Sequence, residues 1–558
     1  MPHIKTTLYL KIAFILLLST LISCSKVKTA DLIVTNAVIW TGNENQKTAQ
    51  AMAIDADTIV AIGTIEEINK YKGKKTKIVD AYGKFITPGF IDSHVHLLQG
   101  GNSLLSVELR NAKTPEEFAK RIGNYAKTLQ AGEWVLEGNW DHTLWGGTLP
   151  TKEWIDKYTP DNPVVVYRLD GHMVFANSAA MKIAGIDKNT ADVKDGVIVR
   201  DKEGNPTGIF KTNAMPLIVD KIPELTRKQK EAALAAAMKY FASNGVTSVH
   251  DLDSLSSYKT AKRFKKKGDL TLRIYSSRPL DKWIELANAD LKNNKWLKRG
   301  LLKGFVDGSL GSHTAAFIDN YSDNVGDKGF LITNPATLSE WITSADQANL
   351  NITVHAIGDR AVQSILSVYE KIIKKTGTKD RRFRVEHAQH IVASDIPKFA
   401  ELGIIASMQP YHAIDDGRWA EKVIGAERMK TTYAFKSLLD AHTNVSFGSD
   451  WPVAPGSALL GIYAATTRRT LDGKNPNGWN PEQKITVEQA LTAYTKSGAY
   501  ASFDEKTKGT LEVSKLADFV ILSQDITKID PVKIKEVYVV KTYVGGKKVY
   551  DRSKKKNY

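Results

Sequence analysis

The sequence predicts an α/β protein: a (β/α)8 barrel of the TIM type, a small β-sandwich domain formed from both termini, and a subdomain inserted after the first barrel strand. Three observations predict this architecture. The middle of the chain alternates short apolar strands with helical patterns, as a parallel barrel requires. Both ends are rich in β-branched residues and turn signals. The stretch between the first two barrel strands is far too long for one helix.

The predicted barrel strands are short apolar runs separated by helices with recognisable starts. Capping-box patterns predict helix starts at Thr226, Thr337 and Thr486, each followed three positions later by Gln or Glu. The eight predicted strands are Phe90–His94, Val246–Asp251, Leu272–Ser276, Leu302–Asp307, Ile352–His355, Phe383–His387, Ile404–Met408 and Val445–Ser449.

Domain boundaries follow from the same patterns. We expect a signal segment at 1–23, the N-terminal part of the β-sandwich at 24–86, the barrel at 87–507 and the C-terminal part of the sandwich at 508–558. The inserted subdomain is predicted at about 98–225, over the barrel mouth. Loops on that face hold the substrates of barrel enzymes.

Composition and charge narrow the functional classes. The 558 residues are 42% hydrophobic and 25% charged, which is typical of a globular protein and excludes disorder, collagen and coiled coil. The net charge of +16 is spread along the chain without a nucleic-acid-binding motif, so we expect no nucleic-acid partner. No Gly-x-Ser-x-Gly elbow is present, which disfavours a serine hydrolase.

The single cysteine excludes an internal disulfide framework and a cysteine-based zinc site. A basic start and an apolar run from Ile12 to Ile22 precede Cys24, as in a secretory signal. The segment Leu21-Ile-Ser-Cys24 also resembles the bacterial lipobox. We therefore expect Cys24 to be lipidated and the protein to be anchored to a cell-envelope membrane, on the periplasmic or extracellular face. The alternative is a free cysteine in an N-terminal anchor helix.

Histidines and one aspartate lie at the ends of predicted barrel strands. His94 and His96 are two positions apart on one strand, so their side chains face the same way. His355, His387 and Asp450 end three other strands. The carboxyl ends of barrel strands open into one cavity, and nitrogen and oxygen donors suit zinc or another borderline divalent metal.

Lys303 lies on the fourth predicted strand, where an inward-facing ammonium is costly unless it is neutral or modified. Carbamylation by carbon dioxide would convert the amine into an anionic bridging ligand. The alternative is a lysine paired with Asp307 on the same strand face.

These residues carry a family resemblance. His94, His96, Lys303, His355, His387 and Asp450 together resemble the metal set of the amidohydrolase superfamily. The surrounding motifs resemble the branch that contains N-substituted formamide deformylase, over about residues 31–550. These motifs are Ile-Thr-Pro-Gly-Phe-Ile-Asp-Ser-His-Val-His (86–96), Asp-Gly-Ser-Leu-Gly-Ser (307–312), His-Ala-Ile-Gly-Asp (355–359) and Gly-Ser-Asp-Trp-Pro (448–452).

The resemblance implies a metal-dependent hydrolase of an amide-type C–N bond in a small molecule, with one or two zinc or other divalent ions. His94, His96 and Lys303 would hold one ion, and His355 and His387 the second, with carbamylated Lys303 as the bridge. Asp450 would serve as general base and then acid. If Lys303 is unmodified, a single-ion site like that of the deaminase-like members is expected.

Other residues are candidates for substrate contact. His172 in the insertion and His412 after the seventh strand could touch the substrate or make ordinary hydrogen bonds, and Trp451 could wall the pocket or pack in the core. A deaminase or esterase on the same fold, and a lipoprotein that binds metal or ligand without turnover, are the alternative functions. Expected partners are the small-molecule amide and the membrane, and a homo-oligomer is compatible with the sequence.

Overall fold

The computed structural model describes residues 29–554 except Asp170, His172, Asp195 and Ser254. The predicted signal segment, Cys24 and His172 therefore lie outside the described residues. None of the helices described between residues 29 and 554 is long and apolar enough to cross a membrane.

The described strands, in chain order, are β1 (Leu32–Thr35), β2 (Val38–Trp40), β3 (Thr48–Ala49), β4 (Ala51–Asp55), β5 (Thr58–Gly63), β6 (Lys77–Asp80), β7 (Phe85–Pro88), β8 (Phe90–Val95), β9 (Val107–Glu108), β10 (Val135–Trp140), β11 (Val164–Arg168), β12 (Met173–Ala176), β13 (Gly196–Arg200), β14 (Pro206–Thr212), β15 (Val246–Asp251), β16 (Arg273–Pro279), β17 (Leu297–Phe305), β18 (Asn351–Ala356), β19 (Arg384–His387), β20 (Ile405–Met408), β21 (Val445–Phe447), β22 (Phe519–Leu522), β23 (Val539–Val544) and β24 (Lys547–Asp551).

The described α-helices are α1 (Ile65–Asn69), α2 (Leu97–Ser103), α3 (Pro115–Ala126), α4 (Ser178–Ala184), α5 (Pro216–Val219), α6 (Arg227–Ser243), α7 (Leu255–Lys267), α8 (Trp283–Ala287), α9 (Pro335–Gln347), α10 (Asp359–Thr376), α11 (Ile396–Glu401), α12 (Pro410–Asp416), α13 (Ala420–Met429), α14 (Phe435–Asp440), α15 (Ala458–Thr467), α16 (Val487–Ala493) and α17 (Lys496–Ala501). Short 3₁₀ helices lie at His142–Trp145, Lys152–Trp154, Asp156–Tyr158, Leu280–Lys282, Ala393–Asp395, Pro481–Gln483, Pro531–Glu536 and Arg552–Lys554.

Eight parallel strands form the barrel, in the order β8, β15, β16, β17, β18, β19, β20 and β21. Each of the eight predicted strands overlaps one of them, so the predicted TIM-type barrel is confirmed. The barrel closes just beyond β21, where the Asp450 N–H donates to the His94 carbonyl at 2.8 Å and the His96 N–H donates to the Trp451 carbonyl at 2.8 Å. Three of the four residues in these closing bonds, His94, His96 and Asp450, are thus residues expected to bind metal.

Two of the three predicted capping boxes are present. The side chains of Thr226 and Thr486 cap α6 and α16, each with a Gln at the third helical position. The prediction at Thr337 is wrong: α9 begins earlier, with Asn334 as the cap and Pro335 as the first helical residue. The reason is that an Asn-Pro pair is itself a strong start signal, because Pro has no N–H to leave unsatisfied in the first turn.

The two ends of the chain share a pair of sheets. One sheet has the order β5-β4-β1-β6, and the other has the order β24-β23-β22-β7-β2-β3. In the second sheet β7 pairs antiparallel with β22, so Phe519 lies opposite Pro88. A shared core contains apolar residues of both ends, among them Val34, Met52 and Tyr543.

The stretch between β8 and β15 carries its own sheet, with the order β13-β14-β12-β11-β10-β9. Its core includes Phe118, which contacts Trp140 at a ring-centroid distance of 6.1 Å and Trp145 at 5.5 Å. Trp140 is fully buried there, so it belongs to the core of this region.

Helix α2, which follows His96 directly, packs unusually closely against its neighbours. A Cβ atom added at Gly100 would lie 2.3 Å from the Trp451 ring, and one at Gly101 would lie 2.0 Å from the Ala233 carbonyl oxygen. Only glycine allows this approach. Gly100 therefore lets the segment that follows His94 and His96 lie against the segment that carries Asp450, and Gly101 lets it lie against α6.

A buried ion pair links the barrel to the terminal sheets. Arg273 of β16 donates to Asp518 through Nε at 2.5 Å and Nη2 at 2.8 Å, and both residues are almost fully buried. Replacing Asp518 with alanine leaves the guanidinium without its carboxylate and should lower the free energy of unfolding by about 3 kcal/mol. Urea denaturation would measure this loss. Asp440→Ala, in the exposed pair with Lys436, should cost less than about 1 kcal/mol, and equal losses would contradict the prediction.

Candidate metal centre

The carboxyl ends of the barrel strands bring most of the predicted ligands together. The ring centroids of His94 and His96 are 5.6 Å apart, those of His94 and His387 4.9 Å, and those of His355 and His387 4.6 Å. Two of the predicted ligands have strained backbones, since His387 has φ +71° and Asp450 has φ +60°. Left-handed conformations at such residues are costly and cluster at functional sites.

Asp450 lies at the centre of the cluster. Its Oδ1 atom is 3.3 Å from His94 Nε2 and 3.2 Å from His96 Nε2. Its Oδ2 atom is 4.0 Å from His412 Nε2. The carboxylate therefore has one oxygen toward each of two groups of potential ligands, and within each group the ligand atoms lie within 4.8 Å of one another. The two groups are His94, His96 and Asp450, and His387, His412 and Asp450.

The pKa shifts of His355, His387 and Asp450 suit metal binding, whereas at His96 the Asp450 carboxylate outweighs burial and raises the pKa. Burial lowers the pKa of His355 to about 3, with Lys303 adding to the effect, and burial beside His355 and His94 lowers the pKa of His387 well below its usual value. Burial opposes ionisation of Asp450, but the neighbouring histidines outweigh it and hold the pKa of this carboxyl well below its usual range. Neutral imidazoles and an ionised carboxylate are the forms that bind a divalent cation.

His412, which from the sequence could touch the substrate or make ordinary hydrogen bonds, lies beside Asp450. Its Nε2 atom is buried and has no hydrogen-bond partner among the described residues, and it faces Asp450. By contrast, His355 Nε2 lies 3.0 Å from the Gly308 carbonyl oxygen, to which it donates. Because Nε2 carries the proton in that bond, the lone pair of a neutral His355 ring is on Nδ1. A buried, unpartnered imidazole nitrogen beside a carboxylate is the kind of donor that binds a divalent metal. The residues present at this site therefore fit such an ion.

Lys303 of β17 is buried, and burial lowers the pKa of its amine to about 8 despite the opposing charges of Glu386 and Asp450. The alternative pairing with Asp307 is not seen among the described residues. Asp307 instead accepts hydrogen bonds from the backbone N–H groups of Ala316, Ile357 and Gly358, at 2.8–3.0 Å. A lysine with this pKa has a substantial neutral fraction near pH 8, which is the form that reacts with carbon dioxide.

A buried charge network, which sequence reasoning missed, supports His94. Glu386 accepts from His94 Nδ1 at 2.7 Å, from Arg384 Nη2 at 2.6 Å and from the Thr353 hydroxyl. Arg384 also contacts His250 Nδ1 at 2.8 Å, which gives His250 a structural role. The signal that could have revealed the network is the Arg-Val-Glu sequence in a barrel strand, because buried charges must be paired.

Replacing Glu386 with glutamine should weaken metal binding about 10- to 100-fold, because a carboxylate that accepts from a ligating imidazole fixes its tautomer and raises its basicity. Competition with a chromophoric chelator would measure the affinity. Glu370→Gln, in the surface ion pair with Lys374 on α10, is the matched control. Unchanged affinity in Glu386→Gln would show that His94 does not bind the metal.

A second buried carboxylate positions the segment that carries Asp450. Asp92 Oδ1 accepts from the Ser449 N–H at 2.8 Å, and its Oδ2 accepts from the Ser449 hydroxyl at 2.6 Å. Burial raises the pKa of Asp92 to about 6. This contact ties β8 to the turn after β21 and so fixes Asp450 relative to His94.

Trp451 is 4% exposed and packs in the core, stacked on Tyr240 at 5.1 Å and edge-on to Phe241 at 4.9 Å. Its place is therefore behind the site rather than on its surface. His442 is exposed.

Comparison with known proteins assigns the family. The sequence profile of the amidohydrolase family matches residues 77–550, which is most of the chain. The chain belongs to the amidohydrolase family. Among its relatives, Protein LONG AFTER FAR-RED 3 of Arabidopsis thaliana is 38% identical over 540 residues, covering 93% of this chain and 92% of that protein.

Two further relatives bear on the chemistry of this amidohydrolase family member. N-substituted formamide deformylase of Arthrobacter pascens is 26% identical over 545 residues, covering 94% of this chain and 99% of that protein. An uncharacterised metal-dependent hydrolase of Pyrococcus horikoshii has a solved structure with a TM-score of 0.76 and 27% identity, covering 90% of this chain and 99% of that one. The chain is thus a metal-dependent hydrolase by family, with a His/His/Asp group able to hold the metal.

Proposed function

We propose that this amidohydrolase cleaves an amide-type C–N bond, other than a peptide backbone bond, in a small molecule, as in the formamide deformylase-like branch. The observation that carries the proposal is the position of Asp450. Its carboxylate lies between two groups of imidazoles, within 3.3 Å of the nearer pair. A protein that only bound metal would have no need for a proton acceptor there.

We propose zinc as the metal, as one or two ions. His94, His96 and Lys303 would hold one ion. His387 would hold the second, with His355 or His412 beside it, and carbamylated Lys303 would bridge the two. A divalent metal at these residues supplies Lewis acidity and lowers the pKa of bound water towards neutrality.

The chain's own residues move the proton. Asp450, ionised and fixed by Asp92 through Ser449, takes a proton from the attacking water and returns it to the nitrogen of the leaving amine. The C–N bond breaks as the carbonyl carbon gains the water oxygen, giving a carboxylic acid and an amine. Glu386 accepts a hydrogen bond from His94 Nδ1 and so holds the ring with Nε2 turned toward Asp450.

A substrate panel tests this proposal with the full chain in detergent. N-formyl and N-acyl derivatives of 4-nitroaniline report amide cleavage by colour, cyclic amidines report deamination by ammonia release, and a 4-nitrophenyl ester reports ester cleavage. Release of nitroaniline that is lost in Asp450→Asn supports the proposal. Ammonia release alone, or ester cleavage alone, would reassign the reaction. Bound metal without turnover of any substrate would favour a binding protein.

We also propose that Cys24 is lipidated and tethers the protein to a cell-envelope membrane, on the sequence pattern of residues 12–24. Labelling of the wild type but not of Cys24→Ala with a palmitate analogue, together with release of that variant from the membrane fraction, would support this. Equal membrane association of both proteins would contradict it.

A further inference from the structure

We propose that Phe305 forms the wall that receives an apolar acyl substituent of the substrate, which makes it a specificity-determining residue. The inference rests on the proposed amide hydrolysis and names the class of acyl group: aryl or branched alkyl rather than formyl. Three observations carry it, namely the exposure of Phe305, its neighbours and its place in the barrel relative to Asp450.

Phe305 is the last residue of β17 and faces the inside of the barrel. Lys303, two residues earlier, is on the same face because side chains alternate along a strand. Gly304 between them faces outwards, since a Cβ atom added there would meet Leu280 at 2.8 Å. The Phe305 side chain is nevertheless 44% exposed, whereas Lys303 is 5% exposed. Phe305 therefore lies above Lys303, at the open end of the barrel.

The contacts of Phe305 are with the metal-site residues. Its ring centroid is 5.3 Å from that of His355, which is its register partner on β18, and 5.1 Å from Lys303 Nζ. The ring therefore lies beside Lys303 and His355, with nearly half of the residue's surface still exposed. Leaving about 44% of a phenyl side chain in water is unfavourable, and an apolar ligand group would remove that cost.

The chain after β17 brings two more exposed apolar side chains to the same strand end. The Ile332 N–H donates to the Val306 carbonyl at 2.7 Å, so this segment returns to the end of β17. Ile332 is 56% exposed and Phe330 is 54% exposed. Phe305, Phe330 and Ile332 thus place three exposed apolar side chains at one strand end, and such groups mark binding sites more often than isolated exposed residues do.

The position of Asp450 assigns this surface to the acyl side. Asp450 follows β21, and in the closed barrel β17 lies four strands away, on the opposite side. The leaving nitrogen must lie near Asp450 to receive its proton. The substituent on the other side of the carbonyl carbon then points across the barrel toward Phe305.

A series of 4-nitroanilides with formyl, acetyl and benzoyl groups tests the assignment. Phe305→Ala should lower kcat/KM about 10- to 30-fold for the benzoyl substrate and less than about 3-fold for the formyl substrate. Phe305→Tyr should keep most of the benzoyl activity. Val325→Ala, at a residue that is 88% exposed in the same loop, is the matched control and should change none of the three. Equal losses on all three substrates, or no loss on the benzoyl one, would overturn the proposal.

A binding measurement separates this inference from the proposed reaction. The zinc-loaded protein is titrated with benzohydroxamate and acetohydroxamate by calorimetry, and zinc content is measured beside it. We expect Phe305→Ala to raise the Kd of benzohydroxamate about 10-fold and to leave acetohydroxamate and zinc content unchanged. If no anilide is cleaved but this selective change is seen, the apolar wall stands and the proposed reaction fails. A parallel change for both hydroxamates would overturn the wall.

Discussion

Replacing Asp450 with asparagine is expected to lower kcat for amide hydrolysis about 10³-fold. The amide side chain keeps the shape of the carboxylate but cannot accept a proton, and general acid–base catalysis contributes about 10²- to 10⁴-fold. The carboxylate is also held ionised by the surrounding histidines, so the group that is lost is an active base rather than a neutral acid. Initial rates of nitroaniline release at saturating substrate would measure the effect.

Asp323→Asn provides the matched control, because Asp323 also contacts a histidine, His313 at 3.0 Å, but outside the metal cluster. That variant should keep at least half of the wild-type kcat. Zinc content must be measured in parallel, since Asp450 is close to both ligand groups. If Asp450→Asn binds zinc normally and keeps more than a tenth of kcat, then Asp450 does not move the proton.

The parts of the fold that could be predicted are those that depend on local sequence patterns, such as an apolar run or the spacing of two capping residues. A barrel strand such as β8 is an apolar run whatever its partners are, and its end is marked by His94 and His96. A capping box such as that at Thr226 is local, since its two hydrogen bonds join residues three positions apart. Thr337 shows the limit of such local rules: two start signals lay close together, and the Asn-Pro signal determined the helix start.

The parts of the site that were not predictable depend on distances between segments far apart in the chain. Glu386 matters because it reaches His94, 292 positions away, and nothing near Glu386 in the sequence names that partner. The sequence likewise placed His412 only after the seventh strand. The approach of His412 to Asp450 depends on how the segments after β20 and β21 are placed next to each other at the carboxyl end of the barrel. The sequence does not give that placement.

For Trp451 the sequence left two roles open. Its position next to Asp450 allowed it to wall the pocket, and its apolar indole favoured packing in the core. The left-handed backbone at Asp450, with φ +60°, changes the direction of the chain, and the indole packs behind the site on Tyr240. A burial preference for tryptophan was the better guide.

The second large effect is expected in metal stoichiometry. Elemental analysis of the wild-type protein, reconstituted with zinc and carbon dioxide, should give about two ions per chain, and Lys303→Ala should give about one. The neutral amine of Lys303 adds to carbon dioxide and loses a proton, which leaves a carbamate with two oxygens that can bridge two cations. Alanine removes the bridge but leaves His94 and His96 to hold one ion.

Two comparisons make this prediction specific. Lys282→Ala, at an exposed lysine, should bind as much zinc as the wild type. Removal of bicarbonate and carbon dioxide before reconstitution should lower the zinc content of the wild type towards one ion, and should not change that of Lys303→Ala. His412→Ala and His355→Ala then identify the second ion's ligand, because only the variant that lacks a true ligand should lose that ion.

The outcomes distinguish a two-ion site bridged by carbamylated Lys303 from a single-ion site. Two ions in the wild type, with the second dependent on carbon dioxide, would establish the carbamylated bridge. One ion in both the wild type and Lys303→Ala would remove Lys303 from the ligand set. The buried amine, with its pKa of about 8, would then be a neutral neighbour of a single-ion site like that of the deaminase-like members. No bound zinc in either protein would contradict the metal centre itself, because the imidazole nitrogens and carboxylate oxygens that converge there are the donors that a borderline divalent cation prefers.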